Sequence, residues 1–199
     1  MTIHDKFYNH DTNWLTFCFC FSKDNAGKDE NEFVEIGCNA NIDLTGYKIV
    51  LYNGNDRTFY DEKTLSGFEA QCSPTGSLAV QNYDNVIQNG APDGIALIDK
   101  NEVVVEFISY EGSFEAANGL AKGQTSVDVG VSEDSKSMEG MSLQLVGEGC
   151  TRSDFTWQTA KLSTKGKVND GQNICVSMNC FHGFGSLDYC LYRIVMSLF

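Results

Sequence analysis

Apolar and polar residues alternate in short runs along this chain, and strand signals dominate from about residue 32 onward. Residues 32–36 (EFVEI) form a β-rich run that the polar stretch 37–41 closes. Residues 46–53 (GYKIVLYN) place Tyr47, Ile49 and Leu51 on one face and Lys48 on the other, and NGND at 53–56 marks a turn. LAV at 78–80 adds a shorter strand. The clearest hairpin joins 95–98 (IALI) to 103–108 (VVVEFI) through the polar turn DKNE at 99–102. Residues 111–141 are rich in Gly and Ser, lack a period, and are predicted to form a long ordered loop. Strand pattern resumes at 142–146 and at 155–157 (FTW). With no sustained 3.6-residue period and no internal repeat, the pattern predicts an all-β sandwich or barrel.

Composition agrees with a packed core. Of 199 residues 42% are hydrophobic, with 13 Phe and 8 Tyr, and 19 Gly against 2 Pro suit many tight turns. The net charge of −13 repels a polyanion, because phosphate binding draws its affinity from Lys and Arg, and no Lys/Arg cluster is present. Nucleic acid is therefore not an expected partner. The acidity reads as solubility, with weak attraction of divalent cations as the alternative. The first twenty residues lack the basic start and small-residue cleavage site of a signal peptide. The apolar stretch 187–199 carries Arg193, and as a helix it would reach only about 20 Å. A bilayer core of roughly 30 Å needs more, so no transmembrane segment is expected.

Eight cysteines stand at 18, 20, 38, 72, 150, 175, 180 and 190, with no CxxC pair to suggest a zinc ribbon or a redox site. Alternation would place Cys18 and Cys20 on one face of a strand as buried structural residues. Cys38 and Cys72 lie in polar stretches between predicted strands, and a disulfide between them is expected in an oxidising compartment. Two free thiols in a cytosolic protein are the alternative. Cys150 is left free or paired with the tail.

Several segments match a known pattern in order and spacing. They are 24–27 (DNAG), 31–36 (NEFVEI), 43–54 (DLTGYKIVLYNG), 92–99 (PDGIALID), 105–112 (VEFISYEG), 142–145 (SLQL), 154–157 (DFTW) and 168–172 (VNDGQ). Together they resemble the lamin tail domain of microbial and algal proteins, over about residues 21–172. The family's first strand carries an Asn-Glu pair just before the stretch matching 21–27, where this chain has Phe19 and Cys20. Nothing after Gln172 matches. The resemblance divides the chain into an N-terminal extension at 1–20 that can include part of the first strand, a domain at 21–172, and a tail at 173–199. It implies an immunoglobulin-like β-sandwich, extracellular, serving as a non-catalytic interaction module. The expected partner is a protein or glycan surface, met through the sheet faces or the 111–141 loop. A detached accessory domain of a secreted hydrolase, such as an extracellular nuclease, is the alternative.

Chemistry has few footholds in the residues. His4, His10 and His182 all fall outside the matched region, and no GxSxG, HExxH or GxxxxGK[ST] motif occurs. Carboxylates remain. Odd spacing puts Glu32 and Glu35 on opposite faces of a strand, and Glu106 and Glu111 are separated by a strand end, so neither makes the paired geometry of a glycosidase. The loop 24–31 offers Asp24, Asp29 and Glu30 to a calcium ion, but Lys28 sits among them and the spacing is not that of an EF-hand; a solvated loop with Asx-turns is the plainer expectation. No catalytic, cofactor-binding or metal residue is assigned, no cofactor is expected, and the chain is predicted not to be an enzyme.

Overall fold

A computed structural model describes residues 16–22, 31–38, 43–70, 77–83, 86–133, 140–149 and 151–174. The strands are β1 Thr16–Ser22, β2 Phe33–Cys38, β3 Lys48–Asn53, β4 Thr58–Thr64, β5 Ser77–Asn82 and β6 Asp93–Ile98, then β7 Val104–Tyr110, β8 Val127–Asp128, β9 Met141–Gly149, β10 Phe155–Leu162 and β11 Gln172–Ile174. One sheet runs β10-β9-β1-β2-β5, with β11 also paired to β9, and the other runs β4-β3-β6-β7-β8. Among the described strands, the β7–β8 and β9–β11 pairs are parallel and the others antiparallel. The chain is an all-β sandwich, as its residue pattern predicts. Between hairpins it changes sheet: β5 returns to lie beside β2, and β6 returns to lie beside β3.

Alternation explains the core. Val34 and Ile36 of β2 and Leu143 of β9 meet Ile49, Leu51, Ile95, Leu97 and Ile108 of the facing sheet, all buried. Each such side chain contributes about 1.5–3 kcal/mol by leaving water. Tyr47, Ile49 and Leu51 share the inner face as expected, while Lys48 points away between Glu62 and Glu102 at 3.3 and 3.5 Å.

Among the described residues, each sheet carries covering chain on its outer face. On the second sheet, Val50, Tyr52, Ala96, Ile98 and Phe107 are covered by Phe114, Ala116 and Ala121. The predicted loop 111–141 is thus a cover over its described part. It carries β8 and a bridge between Glu115 and Thr125, and residues 134–139 lie outside the described residues. Phe114 seats directly on the β6 backbone: a Cβ on Gly94 would lie 2.9 Å from the Ile108 carbonyl oxygen and 2.9 Å from Phe114 Cζ. Tyr52 ties the cover down, its hydroxyl accepting from Ala121 N–H at 3.0 Å and donating to the Asn118 carbonyl at 3.3 Å. On the first sheet, the segment after β10 lies over β2, where Gly166 N–H donates to Glu35 at 2.6 Å and the Lys165 ammonium stands 4.7 Å over the Phe33 ring.

The first strand begins at Thr16, so the segment 1–20 includes part of it, and it pairs with β2 through Ser22. Its register slips between Cys18, opposite Ile36, and Cys20, opposite Glu35. One expectation needs correcting. Cys38 is not in a polar connection: β2 continues through it, it is fully buried, and it is disulfide-bonded. Cys72, its expected partner, lies outside the described residues, as do 1–15 and 175–199. The edge strand β4 escaped prediction.

Candidate functional site

The carboxylates singled out in the sequence do not converge. Glu32 precedes β2 and is fully buried; its Oε2 accepts from the N–H groups of Val86 and Ile87 at 2.7 and 3.0 Å, and its carbonyl accepts from Tyr83 N–H at 2.8 Å. Three residues on, Glu35 lies on the other side of the strand. There Gly166 N–H donates to its Oε1 at 2.6 Å, and its Oε2 is buried without a hydrogen-bond partner. The two acids serve different layers, as their odd spacing requires.

Glu106 and Glu111 do not pair either. The end of β7 separates them as expected: Glu106 sits within the strand, and its Oε1 lies 2.7 Å from Arg152 Nε. Arg152 belongs to a short 3-10 turn, Arg152–Asp154, ahead of β10 in the opposite sheet. Its Nη1 also donates to the Phe155 carbonyl at 3.0 Å, and its guanidinium stands 5.9 Å from the Trp157 ring centre. This charge-assisted bond clamps one sheet to the other at a half-sheltered rim. Glu111 is exposed just past β7, in the left-handed region at φ 63°.

One polar grouping among the described residues was not foreseen. It lies under residues 86–92 and joins Tyr60, Tyr110, Glu32 and Asp93. Tyr110 donates to the Gln88 carbonyl at 2.8 Å, and Gln88 N–H donates to the Tyr60 hydroxyl at 3.0 Å. Asp93 Oδ1 accepts from Gly54 N–H at 3.1 Å. Burial, reinforced by neighbouring acids, pushes both phenols well above their ordinary range, so they remain neutral. Their hydrogen bonds are spent on the backbone of one loop, which makes the group a clamp. A sequence signal was scarcely available, since Tyr60 and Tyr110 come from strands 50 residues apart in number and meet only through the fold.

No group of three or more His, Cys, Asp or Glu among the described residues is arranged to hold a metal ion. The calcium candidates Asp24, Asp29 and Glu30, with Lys28, lie outside the described residues, as do His4, His10 and His182. No helix among them is long and apolar enough to cross a membrane. What the described surface does offer is apolar side chains at its edges: Val103 and Val105 around the start of β7, Val127 on β8, Phe59 on β4 and Leu162 at the end of β10.

No family profile matches this chain, and no curated protein or solved structure matches it.

Proposed function

We propose that this protein is a non-catalytic interaction module, an immunoglobulin-like sandwich akin to the lamin tail domain. The observation that carries the reading is how its interior charges are used. Glu32 holds a loop backbone, Glu106 holds Arg152, and Asp93 holds Gly54. Glu32 and Asp93 belong to the one clamp under residues 86–92 and Glu106 to the rim beside Arg152, and each is committed to a backbone or guanidinium donor.

Topology supports the immunoglobulin-like part. Lettered in the usual way, β1, β2 and β5 take the order A-B-E, and β4, β3, β6 and β7 take C′-C-F-G. The remaining strands extend both sheets. Because the described parts of both outer faces carry covering chain, a protein or glycan partner is met at edges and rims, where Val103, Val105 and Val127 are exposed.

A second reading, the accessory domain of a secreted hydrolase, is favoured by the disulfide at Cys38, since such bonds persist in oxidising compartments. Both readings predict a chain without turnover of its own. The test is an assay of purified protein on nuclease, phosphatase, esterase and glycosidase substrates beside a heat-inactivated control. No excess over the control is expected. Turnover that survives purification and disappears in a single Asp or Glu variant would overturn both.

A further inference from the structure

The chain leaving β10 folds over the outer face of the first sheet as a small closed loop, 163–169. Its ends are fastened: Ser163 N–H donates to the Gly140 carbonyl at 2.7 Å, and the Asn169 side-chain amide donates to the Leu145 carbonyl at 3.0 Å. Within it, the Thr164 hydroxyl donates to Asn169 Oδ1 at 2.7 Å and Lys167 N–H to the Thr164 carbonyl at 2.8 Å. Between those anchors, the tip of the loop meets the sheet in two places. Gly166 N–H reaches Glu35 at 2.6 Å, and the Lys165 ammonium stands 4.7 Å over the Phe33 ring. Lys165, Gly166 and Lys167 are themselves exposed, so the tip is a thin cover over a fully buried acid.

That acid is poorly provided for as an anion. It has one backbone donor on Oε1, and Oε2 has none. Among the described residues the charged group facing it is Lys165 of the loop. On the sheet its paired positions are Cys20 of β1 and Val80 of β5, and beyond Cys20 the next position in the row is the neutral Gln144 of β9, whose Oε1 is also buried without a partner. Desolvation therefore dominates. It raises the Glu35 carboxyl from 4.5 to about 8, against smaller lowering effects from the Gly166 bond and Lys165.

We propose that residues 163–169 form a proton-gated lid, held shut over Glu35 and Phe33 while Glu35 is protonated and released at its Gly166–Lys167 tip when Glu35 ionises and takes up water.

The sign follows from linkage. An open lid returns Glu35 to its ordinary value of 4.5, whereas the closed lid holds it near 8. Below the first value both forms are protonated and the lid stays shut. Between the two, each pH unit multiplies the open population by up to about tenfold, and above the second the equilibrium levels off. The carboxylate and the aromatic edge beneath the lid are thus uncovered in the neutral-to-alkaline range and hidden in the acid range.

Hydrogen exchange at the amides of 164–168 between pH 5.5 and 8.5, divided by the chemical exchange rate at each pH, reads the open fraction. The expected result is a rise of about a hundredfold between pH 5.5 and 7.5, flattening above pH 8. In Glu35→Gln, which keeps the shape and the acceptor for Gly166, the same amides should stay protected with no such slope. A wild-type profile without a slope, or a slope retained in Glu35→Gln, overturns the proposal. Should that variant fail to fold, carbon-13 titration of the Glu35 carboxyl in the wild-type chain decides: a midpoint above 4.5 that coincides with the rise in exchange at 164–168 supports the gate, and one near 4.5, or one without that rise, removes it.

Discussion

Replacing Phe114 with alanine should loosen the cover of the second sheet and lower the stability of the whole sandwich. Phe114 is 7% exposed, crosses Phe107 edge to face with ring centres 5.5 Å apart, and reaches to within contact of the Gly94 and Gly54 backbones. Truncating a buried Phe costs about 3–5 kcal/mol, of which the aromatic pairing supplies roughly 0.5–1.5. A covering loop can settle into part of the cavity, so a loss of about 3 kcal/mol is expected. That is a large share of the roughly 5–15 kcal/mol holding a domain together. Urea unfolding followed by tryptophan fluorescence measures it, with the slope of the transition unchanged. Val127→Ala, at a side chain 69% exposed, is the control and should move stability by less than about 0.5 kcal/mol. A double-mutant cycle with Phe107→Ala should return a coupling of more than about 0.5 kcal/mol. A Phe114→Ala loss under about 1 kcal/mol would mean that the loop rests on the sheet without being part of its core.

At a net charge of −13 the protein should bind duplex DNA poorly at physiological salt, by fluorescence anisotropy; submicromolar affinity that falls steeply with added salt would refute the charge argument. Peptide mapping under non-reducing conditions should join Cys38 to Cys72, because Cys38 is bonded and pairs in register with Ser77, five residues beyond Cys72. Closing that loop of about 35 residues is worth roughly 3–4 kcal/mol, so reduction should lower stability by that order, and a map linking Cys38 elsewhere contradicts the pairing. Since Glu35 has its folded value raised to about 8, wild-type stability should fall from about pH 5 toward pH 8, by at most about 1.4 kcal/mol per unit, and Glu35→Gln should remove that part of the slope. Denaturant curves at pH 5, 6.5 and 8 that remain parallel between the two proteins would refute it.

The inner faces of the strands were readable because Tyr47, Ile49 and Leu51 repeat with a period of two, and the hairpin at 99–102 because a polar turn separates two apolar runs. The outer faces were harder, yet IVLY at 49–52 and IALI at 95–98 are apolar at every position, which is the mark of a strand buried on both sides. The cover itself could not be read from 111–133, since its apolar anchors Phe114, Ala116 and Ala121 follow no single period. β4 was missed because TFYDEKT is an edge strand with one exposed side and many charges. Of the candidate site, the failure of Glu32 and Glu35 to pair was legible from their spacing. The partners of Glu35 and Glu106 were not, because Gly166 and Arg152 lie 131 and 46 residues away.

That the chain covers the outer faces of its own sandwich, leaving edges and rims for a partner, can be tested by hydroxyl-radical footprinting of the whole protein at pH 5. Phe33 and Phe107, buried on outer faces, and Phe114, buried in the cover, should oxidise far more slowly than the exposed Phe59 and Leu162. Oxidation of the outer-face residues at rates equal to Phe59 would mean that the sheet faces are open and that binding there has to be reconsidered.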